Sequence, residues 1–96
     1  MEDTQKIRKR IRFYGDVQGV GFRYRAKYAA KMYGATGWVE NISDGSVEME
    51  IQGSEDIIDS VILTIEKGEF IDIQNMDVKE IPVDEGERSF GVRYGW

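Results

Sequence analysis

The chain has 96 residues, 41% of them hydrophobic, and a net charge of −5, which is enough apolar material for one compact core and not for two. Cysteine and histidine are both missing, which excludes disulfides, thiol nucleophiles, thiolate or imidazole metal sites and the commonest general base. No run approaches the roughly 20 apolar residues of a membrane span, and Met1 to Arg12 is charged, so a soluble, cytoplasmic single domain over 1–96 is expected, with 1–9 as a mobile or irregular extension.

Ile11 and Phe13, preceded by Ile7, predict a first strand ending at Gly15. A glycine-rich loop follows, Gly15 to Gly21. Phe22, Ala26, Ala29, Ala30 and Tyr33 then recur at helical spacing, and Gly34 stands where a left-handed helix stop is wanted. Thr36 to Ile42 reads as a second strand. Asp44-Gly45 signals a hairpin, since both positions tolerate positive φ. On the returning strand Val47, Met49 and Ile51 point one way and Glu48, Glu50 and Gln52 the other, so one face is buried and one is wet.

Ser54 is an N-cap, with Glu55 and Asp56 in the first turn, and Ile57, Ile58, Val61, Ile62 and Ile65 form an apolar stripe up to Lys67-Gly68. Beyond it Ile71 and Ile73 alternate in one phase and Met76 and Val78 in the other. The next strand is therefore bulged or starts late, and a late start near Gln74 is preferred. Pro82 to Glu87 is a polar loop, and Phe90, Val92, Tyr94 and Trp96 alternate as a short last strand. The order β-α-β-β-α-β plus a final strand predicts an α+β ferredoxin-like split βαβ sandwich, an antiparallel sheet with two helices on one face.

Charge is distributed unevenly: residues 1–37 hold 9 Lys+Arg against 3 Asp+Glu, and residues 38–96 hold 4 against 15. A solvated basic strand and helix is one reading, expected for Arg8, Lys9, Arg10 and Arg12; a local positive field that attracts a small anion is the other, and the two can coexist. The acidic total argues against nucleic acid as a partner, and residues 47–52, Val-Glu-Met-Glu-Ile-Gln, lack the exposed aromatics of an RNA-recognition sheet.

Gly19 and Gly21, between a strand and a helix, let backbone N–H groups turn inward as an anion nest at the helix N-terminus, where Arg23 adds a forked guanidinium. A tight turn beside a solvated arginine is the alternative. Trp38 reads as packing beside the site, Gln18 as hydrogen-bonding within its own loop, and Tyr24, Arg25 and Tyr28 as a solvated or half-buried helix face.

These residues resemble a known family. Gly15-Asp16-Val17-Gln18-Gly19-Val20-Gly21-Phe22-Arg23 is similar to the acylphosphatase signature G-x-V-Q-G-V-x-F-R at every specified position. Gly37-Trp38-Val39-Glu40-Asn41, followed by Asp44-Gly45-Ser46-Val47-Glu48, resembles the family's second block, G-W-V-x-N…D-G-x-V-E. The resemblance implies hydrolysis of an acyl phosphate to a carboxylate and inorganic phosphate, without metal or cofactor. It further implies that Arg23 and Asn41 are catalytic, and that Val17, Gln18, Gly19, Val20, Gly21, Phe22 and Arg23 form the phosphate-binding loop. In that reading Asn41 positions the attacking water, phosphate is product and competitive inhibitor, and the protein is a monomer. Asp16 and Glu40 are acidic where many members are basic or neutral, and Ala26 replaces a frequent hydroxyl residue. The rival reading is a non-catalytic module that senses a phosphorylated metabolite or belongs to a larger carbamoyl-transfer enzyme. With no further domain after Trp96, the stand-alone enzyme is expected.

Overall fold

A computed structural model describes residues 5–94. The chain runs β1 (Ile7–Asp16), α1 (Phe22–Tyr33), β2 (Thr36–Asn41), β3 (Val47–Gly53), α2 (Glu55–Glu66), β4 (Asp72–Ile81) and β5 (Phe90–Arg93). The strands form one sheet in the order β4-β1-β3-β2-β5, the ferredoxin-like arrangement with an added edge strand.

One face of the sheet carries the core. Ile11 and Phe13 of β1, Val39 of β2 and Val47, Met49 and Ile51 of β3 are completely buried beneath the two helices. Helix α1 presents Phe22 and the small side chains of Ala26, Ala29 and Ala30 to the core, and Phe22 sets its ring 4.9 Å from that of Phe13. Tyr33, expected on the same stripe, is 39% exposed at the last turn before Gly34 closes the helix at φ 79°. Helix α2 buries Ile58, Val61 and Ile65, and the Ser54 hydroxyl accepts from the Ile57 N–H, the cap its sequence predicts.

Three expectations change. The first strand begins at Ile7, so residues 7–9 belong to the sheet and not to an irregular extension, while 1–4 lie outside the described residues. Strand β4 begins at Asp72, not near Gln74, and it is bulged: Tyr14 pairs with Asn75 and Gly15 with Ile73, which leaves Gln74 as the extra residue. That single insertion turns Ile73 on one side of it and Met76 and Val78 on the other toward the same face, which is why the sequence shows two phases. Strand β5 pairs with β2 in parallel, Gly37 opposite Phe90 through Glu40 opposite Arg93, so the sheet is mixed rather than wholly antiparallel. Its cause is the 82–89 segment, which carries the chain from one edge of the sheet to the other. Of the predicted alternation of β5, Trp96 lies outside the described residues.

The crossing segment also changes the fate of the basic strand. On the helix-free face Arg8, Arg10 and Arg12 stand opposite Gln52, Glu50 and Glu48. Arg8 is only 4% exposed: it donates to Glu50 (2.9 Å), to Gln52 (3.0 Å) and through both terminal nitrogens to Glu87 (2.8 and 3.1 Å). Gln52 in turn exchanges hydrogen bonds with the Asp84 backbone at 2.8 and 3.0 Å. The expected solvated strand is instead half of an ion-pair network, and the acidic face of β3 is the other half. Burial works against the Arg8 charge, but its bonds to Glu87 and Glu50 prevail and raise its pKa. For Glu48, burial pushes the pKa up and the bonds from Arg12 and Arg10 outweigh it, holding the carboxyl below its ordinary value.

Candidate active site

Strand β1 hands over to α1 through residues 17–21. Val17 is fully buried and pins the loop to the core. Gly19 (φ 74°) and Gly21 (φ 82°) both take the left-handed conformation, which side chains resist, and a Cβ built on either would touch nothing. The left-handed backbone, not a lack of room, is therefore what favours glycine at both positions. Gly21 is the N-cap of α1, and no side chain caps that end. First-turn N–H groups point out along the axis, so an uncapped N-terminus beneath a left-handed glycine loop offers donors and a positive dipole end to an anion.

Arg23 is the second residue of α1 and is half-buried. Its guanidinium lies 4.9 Å over the ring of Tyr94 and has no carboxylate partner among the described residues. Tyr94 follows the β5 residue paired with Glu40, so it reaches the end of the sheet where β2 terminates at Asn41. Asn41 is half-buried, opposite Val47, and alternation from Val39 turns it toward the helix-covered face.

Gln18 joins the two halves. Its side-chain amide donates to the carbonyls of Ile42 and Ser46, both at 2.7 Å, so it clamps the loop to the β2–β3 hairpin rather than bonding within its own loop as expected. The partners lie 24 and 28 residues away, a distance no local motif encodes. Hairpin geometry also departs from the expected turn: only Gly45 has positive φ (95°), and Asp44 does not. Ile42 accepts from Gly45 N at 3.0 Å and donates to Ser46 O at 2.9 Å, a turn closed by one left-handed glycine. Asp44 accepts from the Ser46 hydroxyl and backbone N–H, bonds that lower its pKa.

The loop, Arg23 and Asn41 thus come to one end of the sheet. Trp38 is buried, with the Arg93 guanidinium 4.1 Å over its ring. Ala26 is in the core, Asp16 is exposed and Glu40 is half-buried. Tyr94 is the site neighbour that sequence reasoning missed. Its only signal was its place in an alternating terminal strand.

The acylphosphatase family model matches residues 9–92. The chain belongs to the acylphosphatase family. It is 43% identical over 94 residues to the acylphosphatase of Bifidobacterium longum, an alignment covering 96% of this chain and 97% of that protein. The acylphosphatase of Geobacillus kaustophilus is 43% identical over 82 residues, covering 84% and 87%. Among solved structures, the acylphosphatase from Bacillus subtilis superimposes with a TM-score of 0.83 at 35% identity, covering 92% of this chain and 99% of that one. Full-length HypF in its phosphate- and nucleotide-bound form also gives 0.83, at 29% identity, but the match spans only 12% of that much longer chain. The family fold thus occurs both alone and as a small part of a larger protein.

Proposed function

We propose that this protein hydrolyses acyl phosphates, with the phosphoryl group held by Arg23 and the backbone amides of residues 17–22 and the attacking water positioned by Asn41. The observation that carries the reading is the uncapped N-terminus of α1 beneath two left-handed glycines, with Arg23 beside it and free of any described carboxylate. Such a cradle suits a small dianion. Similarity to the B. longum acylphosphatase over nearly the whole length of that protein supports the catalytic reading over a non-catalytic module.

The chemistry needs little beyond positioning. Water oxygen bonds to phosphorus as the bond from phosphorus to the acyl oxygen breaks, and the electron pair leaves on a carboxylate. That leaving group is a weak base, with a pKa of about 4 like an aspartate side chain, so no acid need protonate it. A chain without histidine is therefore not handicapped. Arg23 and the loop amides neutralise the equatorial oxygens, and Asn41 aims the water in line. An amide is too weakly basic to take the water proton, so that proton passes to a phosphoryl oxygen and leaves with inorganic phosphate. The proposal includes phosphate as a competitive inhibitor, a cytoplasmic location and a monomeric state; among the described residues no helix is long and apolar enough to cross a membrane.

The test is steady-state hydrolysis of benzoyl phosphate with chelator present. Turnover that survives chelation and disappears in Arg23→Ala is the expected result. Phosphate binding without turnover would instead make the protein a sensor.

A further inference from the structure

Helix α1 carries Arg23, Arg25, Lys27 and Lys31 and no acidic residue. Arg25 is committed, its Nε donating to the Thr64 carbonyl at 2.7 Å. The other three recur every four residues and so form one row, with successive Cα atoms about 6 Å apart along the axis. Like charges at that spacing repel, and a cation in the first turn opposes the helix dipole.

This row goes unneutralised in a chain with carboxylates to spare. Each arginine of β1 is matched: Arg8 by Glu50 and Glu87, Arg10 by Glu48 and Glu50, Arg12 by Glu48 and Asp44. Arg23, Lys27, Lys31 and Arg88 have no carboxylate partner among the described residues.

These four cations line one trough. A cavity of about 500 Å³ runs from Arg23 and Tyr94 past Lys27 and Tyr28 to Lys31. A second, of about 410 Å³, shares Lys27 and Lys31 and continues to Thr36, Arg88 and Phe90. Tyr24 and Tyr28 also border a separate groove of about 510 Å³ on their other side, toward Met32 and Phe70. An apolar acyl group has that groove available, whereas the cationic trough suits an acyl group that carries charge.

We propose that Lys27 and Lys31, with Arg88 at the far end, form a second anion subsite that binds a negatively charged group at the distal end of the acyl chain. The preferred substrates are then acyl phosphates whose acyl part bears its own carboxylate or phosphate. This rests on the acyl phosphate reading for the end of the trough at Arg23.

Phosphonates test the subsite without turnover. Isothermal titration at low salt would compare butylphosphonate, 4-phosphonobutyrate and butane-1,4-bisphosphonate. At least one compound with a distal anion should bind about 10-fold more tightly than butylphosphonate, and the gain should shrink as salt screens it. The stronger of the two identifies carboxylate or phosphate as the distal group. In Lys27→Gln/Lys31→Gln the gain should fall within about 2-fold of unity, with butylphosphonate affinity unchanged. Equal affinity for all three ligands overturns the proposal, as does a gain that survives the double substitution. A uniform loss for all three in the variant also overturns it, since that is a diffuse field and not a subsite. A distal-anion gain without benzoyl phosphate turnover keeps the subsite and sinks the hydrolase; turnover without the gain does the reverse.

Discussion

Gln18→Ala should uncouple the loop proposed to bind phosphate from the strand that carries Asn41. Two hydrogen bonds of 2.7 Å are lost, to the carbonyls of Ile42 and Ser46. Each carbonyl keeps a second donor, Gly45 N for Ile42 and Ile42 N for Ser46, so neither is stranded. The loss is thus near the net worth of two neutral hydrogen bonds, about 1–3 kcal/mol, and not the larger penalty for orphaned buried groups. For a domain of this length that lowers Tm by roughly 4–24 °C. Catalysis should fall further than stability implies. Arg23 stays on α1, whose first residue Phe22 is buried against Phe13, and Val17 still pins the loop to the core, so phosphate affinity should fall by less than turnover does. Asn41, no longer braced against the loop, loses its alignment, and a displacement near 1 Å costs on the order of 10²-fold. Calorimetry, phosphate titration and single-turnover hydrolysis of benzoyl phosphate on one preparation separate these quantities. A lower Tm with unchanged turnover per folded molecule would refute the coupling and leave Gln18 a structural clamp alone.

Arg23→Ala should lose phosphate affinity and turnover together, the latter by about 10³-fold or more, and Arg23→Lys should recover little because an ammonium cannot make two parallel bonds; a fully active lysine variant contradicts the forked contact. Asn41→Ala should keep phosphate affinity while the chemical step falls by about 10²-fold, and Asn41→Asp should be no better, because its charge repels the phosphoryl oxygens. Normal turnover in a folded Asn41→Ala protein would remove the water-positioning role. For the ion-pair face, Glu48 has a depressed pKa in the fold, so its stabilising contribution is complete above its ordinary value of 4.5 and is lost as pH falls through the lower folded value. The Tm difference between the unsubstituted protein and Glu48→Gln should therefore be steady at neutral pH and shrink in acid. A difference that grows on acidification would show the sign to be wrong.

What the sequence made legible were features whose causes are local. Ser54 caps α2 and Gly34 closes α1 because each acts within one turn of its own position. The spacing of Gly19, Gly21 and Arg23 left an anion nest and a tight turn equally open, and Asn41 was singled out only through the resemblance to the acylphosphatase blocks. Features set by distant chain were not legible. The burial of Arg8 depends on Glu87, 79 residues away, and on a crossing segment with no regular structure to predict. The parallel pairing of β5 follows from where that segment ends, which alternation in four residues cannot reveal. The two phases around Gln74 did contain the bulge, but alternation alone leaves a late start equally open; pairing with β1 decides it. Tyr94 beneath Arg23 needed the same pairing, since it is β5 lying beside β2 that brings the ring there.

In the proposed reaction, water attacks phosphorus in a phosphoryl group held by Arg23 and the loop amides. Hydrolysis of benzoyl phosphate in ¹⁸O-enriched water, followed by mass spectrometry of both products, tests it most directly. Label in inorganic phosphate, with unlabelled benzoate, is the predicted result. Label in the benzoate would place the attack at the acyl carbon and contradict the account.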